Sequence, residues 1–287
     1  MRRHTPRTCS PRTAGMRESS QQRRSYGIVC FDKTGKHVLF VRKKFTYAIT
    51  ALVTGSYVDT PEKIKELFNE LTESERLMLR ESSYENLLNR IFHEGGGNIT
   101  PDAKNQMSRK FNHRWKSDTI IKALQDCDGE PGSLLWEIPK GHHDRRKDAS
   151  RLDSAIREFM EETRLDIDDF TMCEVPPFTD AHTDGGVTYI TQYWFAQQRE
   201  DSTHKLQIDY GQDSKHYLEV SAIAWLNLDE LKVRQCKKYF KRSIDLFKKF
   251  IRHYHMHCSK DYKKYVEGTK FSKSPPTKGM RIYKEQK

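Results

Sequence analysis

Residues 154–165, SAIREFMEETRL, set Glu158, Glu161 and Glu162 at i, i+3 and i+4. Helical spacing then puts three carboxylates on one face within a single turn, where like charges cost about 0.2 to 0.5 kcal/mol per pair. A merely solvated helix would mix lysines among them. A hard divalent cation removes the penalty, because Mg²⁺ and Mn²⁺ are held by carboxylate oxygens together with water and substrate phosphates. Glu158, Glu161 and Glu162 are therefore the expected ligands of Mg²⁺ or Mn²⁺. Asp153 is expected to cap the helix start. Ile156 and Met160 are expected on the opposite side, with Ala155 and Phe159 on a flank. Arg157, beside the cluster, is expected to hold the adjoining loop through a carboxylate partner.

Immediately upstream, Trp136-Glu137-Ile138-Pro139-Lys140-Gly141 reads as a strand end running into a glycine turn. Gly141 tolerates backbone geometry that other residues resist and lets its carbonyl approach a metal. Lys140 adds a charge that seeks phosphate. A strand, a glycine loop and a carboxylate helix outline a site for metal and pyrophosphate.

Outward from this segment, Tyr26 to Asp32 and His37 to Arg42 are β-branched and aromatic runs joined by Lys33, Thr34 and Gly35, the pattern of a hairpin. Tyr47 to Val58 shows neither helical nor strand period. From Pro61, the spacing of Ile64, Leu67, Phe68 and Leu71 predicts an amphipathic helix. Tyr84, Leu87, Leu88, Ile91 and Phe92 predict another, Gly95 to Gly97 a break, and Ser117 to Leu124 a further short helix. Strands are predicted over Val187 to Ala196 and Tyr217 to Leu226. One long helix is predicted from Asp229, its stripe formed by Leu231, Tyr239, Phe240, Ile244, Phe247 and Ile251.

The expected organisation is a basic, disordered segment over 1–24, a catalytic domain in two parts over 25–46 and 131–258, a helical insertion over 47–130 and a basic flexible tail over 259–287. The fold class is α+β. Within 287 residues and a net charge of +11, charge is uneven. Lys232 to Lys287 holds 18 Lys and Arg against 4 Asp and Glu, and Met1 to Arg24 holds 7 Arg against one Glu. Basic ends around a more acidic body hold a polyanion independently of its sequence, although a solubilising tail has the same composition. No run of about 18 to 20 apolar residues offers a membrane span. Six cysteines without a CxxC pair predict reduced thiols and an intracellular, cytoplasmic location.

Gly141 followed by Arg157-Glu158-Phe159-Met160-Glu161-Glu162-Thr163 resembles the Nudix box: Gly, five residues, Glu, seven residues, Arg-Glu-apolar-any-Glu-Glu-any-Gly. In this chain sixteen positions separate Gly141 from Arg157 where the pattern has fourteen, position 147 holds Lys147, and Arg164 stands for the closing glycine. Asp148 is the nearest stand-in for the early glutamate. The resemblance implies an α/β/α Nudix sandwich with a mixed sheet, interrupted here by the all-helical insertion. Within that superfamily the chain is similar to mRNA-decapping enzymes of large DNA viruses, on Pro139-Lys140-Gly141, the longer loop after it, Ala155 to Phe159, and Arg42-Lys43-Lys44 to Val58 followed by helices. A viral source would place the protein in the infected host cell.

That likeness implies a partner, capped RNA, and hydrolysis within its 5′-5′ triphosphate bridge to release 7-methyl-GDP and 5′-monophosphate RNA. Glu158, Glu161 and Glu162, with the Gly141 carbonyl, would hold the metal. Glu219, six positions before Trp225, would be a base or further ligand, and Lys140 an electrostatic stabiliser. An edge-strand carboxylate is the plainer reading of Glu219. Stacking the methylated base calls for aromatic faces, for which Trp115 and Tyr47 are available, with Tyr57 and Phe45. Two other functions share these features: a hydrolase of diphosphoinositol or dinucleoside polyphosphates, and a basic RNA-binding module without catalysis. Oligomeric state is left open.

Overall fold

The computed structural model describes residues 21–92, 100–115, 117–127, 130–184, 187–202, 206 and 219–258. The expectations for 1–20, for Gly95 to Gly97 and for 259–287 lie outside them. The strands are β1 (Gln21–Phe31), β2 (Val38–Lys43), β3 (Trp136–Glu137), β4 (Lys140–Gly141), β5 (Phe170–Met172), β6 (Phe178–Asp184), β7 (Val187–Gln198) and β8 (Val220–Leu226). They form one mixed sheet whose main path runs β3-β2-β1-β7-β5, with β4 on β1, β6 on β7 and β8 on β2. The turn between β1 and β2 contains Gly35 at φ +69° and is tied by Asp32 Oδ1, which accepts from the backbone of Lys36 and His37.

Order begins earlier than Ser25. Gln21 to Arg24 belong to β1, because the strand pairs in parallel with β7 from Gln21↔Val187 to Phe31↔Gln197. A ladder of backbone hydrogen bonds orders residues whose side chains contribute little to a core. Similarly, β6 carries alternating half-buried and exposed residues and is positioned by its antiparallel pairing with β7, a partner that no local period announces.

Among the described residues six helices separate β2 from β3: α1 (Tyr47–Thr54), α2 (Pro61–Glu70), α3 (Glu73–Glu81), α4 (Tyr84–Phe92), α5 (Pro101–Arg114) and α6 (Ser117–Gln125). The ambiguous stretch after Phe45 resolves as helix because Thr46 caps Ile49 and Gly55 closes α1 in the left-handed region. Ala48, Ile49, Leu52 and Val53 then share its buried face. These helices have a core of their own around Ile49, Leu52, Phe68, Leu71, Leu87 and Trp115, each full burial of such a side chain contributing about 1.5–3 kcal/mol. Helices α3 and α5 escape a periodicity reading because α3 buries Glu75 beside Met78 and Leu79, and Phe111 alone is fully buried on α5. The Glu75 carboxylate accepts from Thr46 N at 2.7 Å and Thr72 N at 2.9 Å, tying the starts of α1 and α3 together.

The sheet lies between two helical layers. On one side α7 (Arg151–Thr163) packs Ala155 and Phe159 on Ile28, Cys30, Leu39 and Trp194. The opposite layer includes α8 (Leu228–Arg234) and α9 (Phe240–Cys258), which bring Leu231, Ile244, Phe247 and Phe250 onto Phe31, Phe40, Tyr193 and Phe195. This is the expected α/β/α sandwich with a mixed sheet.

Three local expectations change. Helix α7 is capped by Ser150 rather than Asp153. Its fully buried face is Ala155 and Phe159, not Ile156 and Met160, which are partly buried. The single helix predicted from Asp229 is two helices, because Gln235 turns inward, donating to Trp136 O at 2.6 Å and accepting from Trp136 N at 3.2 Å. A 3₁₀ turn over Lys237–Tyr239 then leads into α9.

Candidate active site

Strand β4 passes so close to α7 that the carboxylate of Glu158 occupies the space a Cβ at position 141 would need. Gly141 is required for that approach, at an unremarkable backbone conformation. One turn further, Glu162 lies on the buried side of α7, its side chain 5% exposed. Its Oε2 accepts from Lys140 N at 3.0 Å and its Oε1 from Lys43 Nζ at 2.8 Å. Lys43 also reaches Glu137 at 3.2 Å, and Lys140 Nζ pairs with the same carboxylate. The Tyr47 hydroxyl stands 3.4 Å from Glu137, joining α1 to this network.

The electrostatics follow from burial and pairing. Burial alone raises the Glu137 carboxyl, but the ammonium groups of Lys140 and Lys43 outweigh it and bring it down to about 2. Lys43 is disfavoured by burial, yet Glu162 and Glu137 hold it protonated well above the usual lysine range. Glu162 is pushed up by burial, with Lys43 opposing. Glu158 is raised to about 7, mainly by burial, because Arg157 compensates it only in part.

Arg157 anchors the loop between β4 and α7. Its Nε donates to Asp148 Oδ1 at 2.8 Å, and its Nη2 donates to Asp148 Oδ2 and the His142 carbonyl at 3.0 Å each. The Asp148 side chain is 2% exposed, and the guanidinium holds its carboxyl far below the usual range against the effect of burial. Asp148 is thus the carboxylate partner anticipated for Arg157, one residue beyond the position of the box's early glutamate. At the other end of α7, Arg164 adopts φ +62°, the left-handed conformation for which glycine is favoured.

The structure brings Lys140, Gly141, Glu158, Glu161, Glu162 and Tyr47 together around β4 and the C-terminal half of α7. Glu161 is the outermost carboxylate, its side chain 56% exposed and 3.2 Å from Arg157 Nη1. Glu219 lies just before β8, exposed, its carbonyl accepting from Lys44 N, and its charge acts on His142 in the loop after Gly141. Two assignments change in character. Lys140 is neutralised by Glu137 rather than presenting a free charge to phosphate. Trp115 is 6% exposed in the helical core, against Phe68 and donating to Tyr57 Oη at 3.1 Å, so its ring is packing and not a stacking surface. Tyr47, 49% exposed, keeps an open surface at the site. Sequence reasoning missed Lys43 as the partner of Glu162, and Glu137. Only the pairing of β2 with β3, Val41↔Glu137 and Arg42↔Trp136, places them side by side.

Among the described residues no three His, Cys, Asp or Glu side chains converge as a metal cluster. Arg157 and Lys43 hold the carboxylates instead. The donor set nevertheless fits a hard dication. Glu158 is a largely buried carboxylate whose charge is under-compensated, packed directly against Gly141.

The family model described as NUDIX domain matches residues 118–250. The chain is 25% identical over 205 residues to the mRNA-decapping protein g5R of African swine fever virus, isolate Warthog/Namibia/Wart80/1980, covering 68% of this chain and 79% of that one. The g5R protein of the Badajoz 1971 Vero-adapted strain is matched at 25% over 205 residues, covering 68% and 78%. Among solved structures, a C. elegans Ap4A hydrolase binary complex aligns with a TM-score of 0.35 at 14% identity, covering 86% of this chain and 98% of that one. The NUDIX domain of Shewanella oneidensis NrtR, complexed with ADP ribose, aligns with a TM-score of 0.35 at 11% identity, covering 80% and 88%.

Proposed function

We propose that this chain, which carries a Nudix domain, is an mRNA-decapping pyrophosphohydrolase that cleaves the triphosphate bridge of capped RNA to 7-methyl-GDP and a 5′-monophosphate strand. The observation that carries the chemistry is the seating of Glu158 against Gly141 beside the internally tethered Glu162. The substrate is supported by the likeness to the viral decapping proteins over two thirds of the chain. A cleft of about 480 Å³ on the helical segment, lined by Arg109, Lys110, His113 and Arg114 with Tyr57, supports a long anionic ligand.

Glu158, Glu161 and Glu162, with the Gly141 carbonyl and with Glu219 as base or further ligand, are the groups that would hold Mg²⁺ or Mn²⁺. Bound divalent cations supply charge neutralisation for phosphate oxygens and a lowered pKa for coordinated water. The rest is supplied by the protein. Lys43 and the backbone of Lys140 fix both oxygens of Glu162, so its carboxylate is oriented before substrate arrives. Lys140 keeps Glu137 ionised, and Glu137 in turn keeps Lys43 charged. Arg157 pins the loop carrying His142 by donating to its carbonyl. The reading also places the helical insertion over 47–130 between the two parts of the catalytic domain, and the protein inside the cell.

The test is hydrolysis of cap-labelled RNA, uncapped RNA and an inositol pyrophosphate with Mg²⁺ or Mn²⁺, with products identified. Capped RNA alone should yield 7-methyl-GDP, and Glu162→Gln should lower kcat by at least about 100-fold. Hydrolysis of the inositol pyrophosphate without decapping would overturn the substrate assignment. Near-normal turnover by Glu162→Gln would overturn the site.

A further inference from the structure

At the outer end of the sheet the hairpin of β6 and β7 carries a pair of rings outside the network described above. His182 and Tyr189 are register partners, and their rings stack with centroids 5.1 Å apart and planes 24° from parallel. Two and four positions along the same face come Asp180↔Thr191 and Phe178↔Tyr193. Phe178 and Tyr193 pack against Phe250 of α9. His182 and Tyr189 therefore lie past that packing and stay half-buried.

Between the hairpin and α9 is a cleft of about 390 Å³, lined by His182 and Asp180 on one side and by Lys238, Lys241, Arg242 and Lys249 among the residues of the other. Arg242 pairs with Asp180, and Lys238 with Glu70 and Glu66, whereas Lys241 and Lys249 are exposed. Within this wall His182 Nδ1 is buried without a hydrogen-bond partner.

We propose that this cleft binds one nucleobase of the substrate with its phosphate, the base extending the His182–Tyr189 stack while Lys241 and Lys249 hold the phosphate. Aromatic rings beside flexible cations suit that ligand, since every base has a face to stack and phosphate is met by charge. The inference rests on the decapping reading, which offers two sources of the same chemistry: the methylated guanosine of the cap and the first nucleotide of the strand.

Binding is measured on the full chain in EDTA, where nothing is turned over, by calorimetric titration with 7-methyl-GDP and with a short 5′-phosphorylated RNA. The ligand whose affinity falls about tenfold in His182→Ala identifies the source. Lys241→Glu with Lys249→Glu should weaken the same ligand while leaving binding of the corresponding unphosphorylated ligand unchanged. Thermal midpoints establish that the variants are folded, and His182→Phe, which keeps a ring face for stacking, should bind more tightly than His182→Ala. Unchanged affinity of both ligands in His182→Ala overturns the proposal. Cap-labelled hydrolysis run in parallel keeps the two readings apart. Decapping by wild type together with unaltered binding in the variants removes the cleft and leaves the function, whereas His182-dependent binding without released 7-methyl-GDP does the reverse.

Discussion

Helix α7 is tied to the sheet by two ionic anchors of different construction. In its middle, Arg157 grips Asp148 through two nitrogens and stands near Glu158 and Glu161, so several carboxylates share one guanidinium. At its C-terminal end Glu162 is buried against Lys43, and Lys43 in turn bridges to Glu137 and thence to Lys140. The first anchor joins residues within one loop and the helix that follows it. The second joins β2, β3, β4 and α7, with 119 positions separating Lys43 from Glu162. A local, multiply partnered anchor tolerates the loss of one member, while a buried chain of alternating charges does not.

The largest expected effect breaks the second anchor. Lys43→Met leaves Glu162 and Glu137 buried without their shared cation and should destabilise the protein by about 3–5 kcal/mol, read as a lower denaturation midpoint in urea. A loss below about 1 kcal/mol would mean that the network does not support the fold.

Next comes a pH dependence to which Glu158 contributes alongside another carboxyl that burial pushes up, Glu162. The folded pKa of Glu158, about 7, lies above the ordinary 4.5, so the folded state binds the proton more tightly than the unfolded state. Stability is therefore full below about pH 4.5 and declines as pH rises through 7, by at most about 3 kcal/mol. The thermal midpoint in EDTA should fall between pH 5 and pH 8. Mg²⁺ should suppress the fall and Glu158→Gln should reduce it. An unaltered slope in Glu158→Gln would assign the effect elsewhere.

The first anchor is expected to matter less. Asp148→Ala should cost about 1.5–3 kcal/mol, since Arg157 retains Glu158, Glu161 and the His142 carbonyl. Asp148→Glu should recover part of the loss in the same urea titration. An Asp148→Ala loss equal to that of Lys43→Met would erase the distinction between the anchors. The smallest effect is at the end of α7. Arg164→Gly relieves a left-handed residue and should raise stability by about 0.5 kcal/mol once the greater freedom of unfolded glycine is counted, visible as a small rise in thermal midpoint.

The first anchor was largely legible in the sequence. Arg157 flanks the carboxylate cluster, and Asp148 was the nearest acid to the expected position. The second anchor was not, because Lys43 sits in the run Arg42-Lys43-Lys44, whose local pattern is that of a solvated strand end. Trp115 was misread for a related reason. An aromatic residue beside arginines looks available for stacking, but its helix turns it into a core assembled from residues as distant as Ile49 and Leu52. The hairpin pair His182 and Tyr189 had no local signal either, since only strand register makes them neighbours.

By itself the sequence put three carboxylates on one helical face after a glycine turn, because spacing at i, i+3 and i+4 follows from helical period alone. It also marked the helical block, whose apolar stripes must each find a partner surface, while the sandwich was what the family resemblance implied. Tertiary structure alone decided which carboxylate is buried, which lysine neutralises it and where ordered strand begins. Those outcomes depend on strand pairing and on burial, which are properties of residues far apart along the chain.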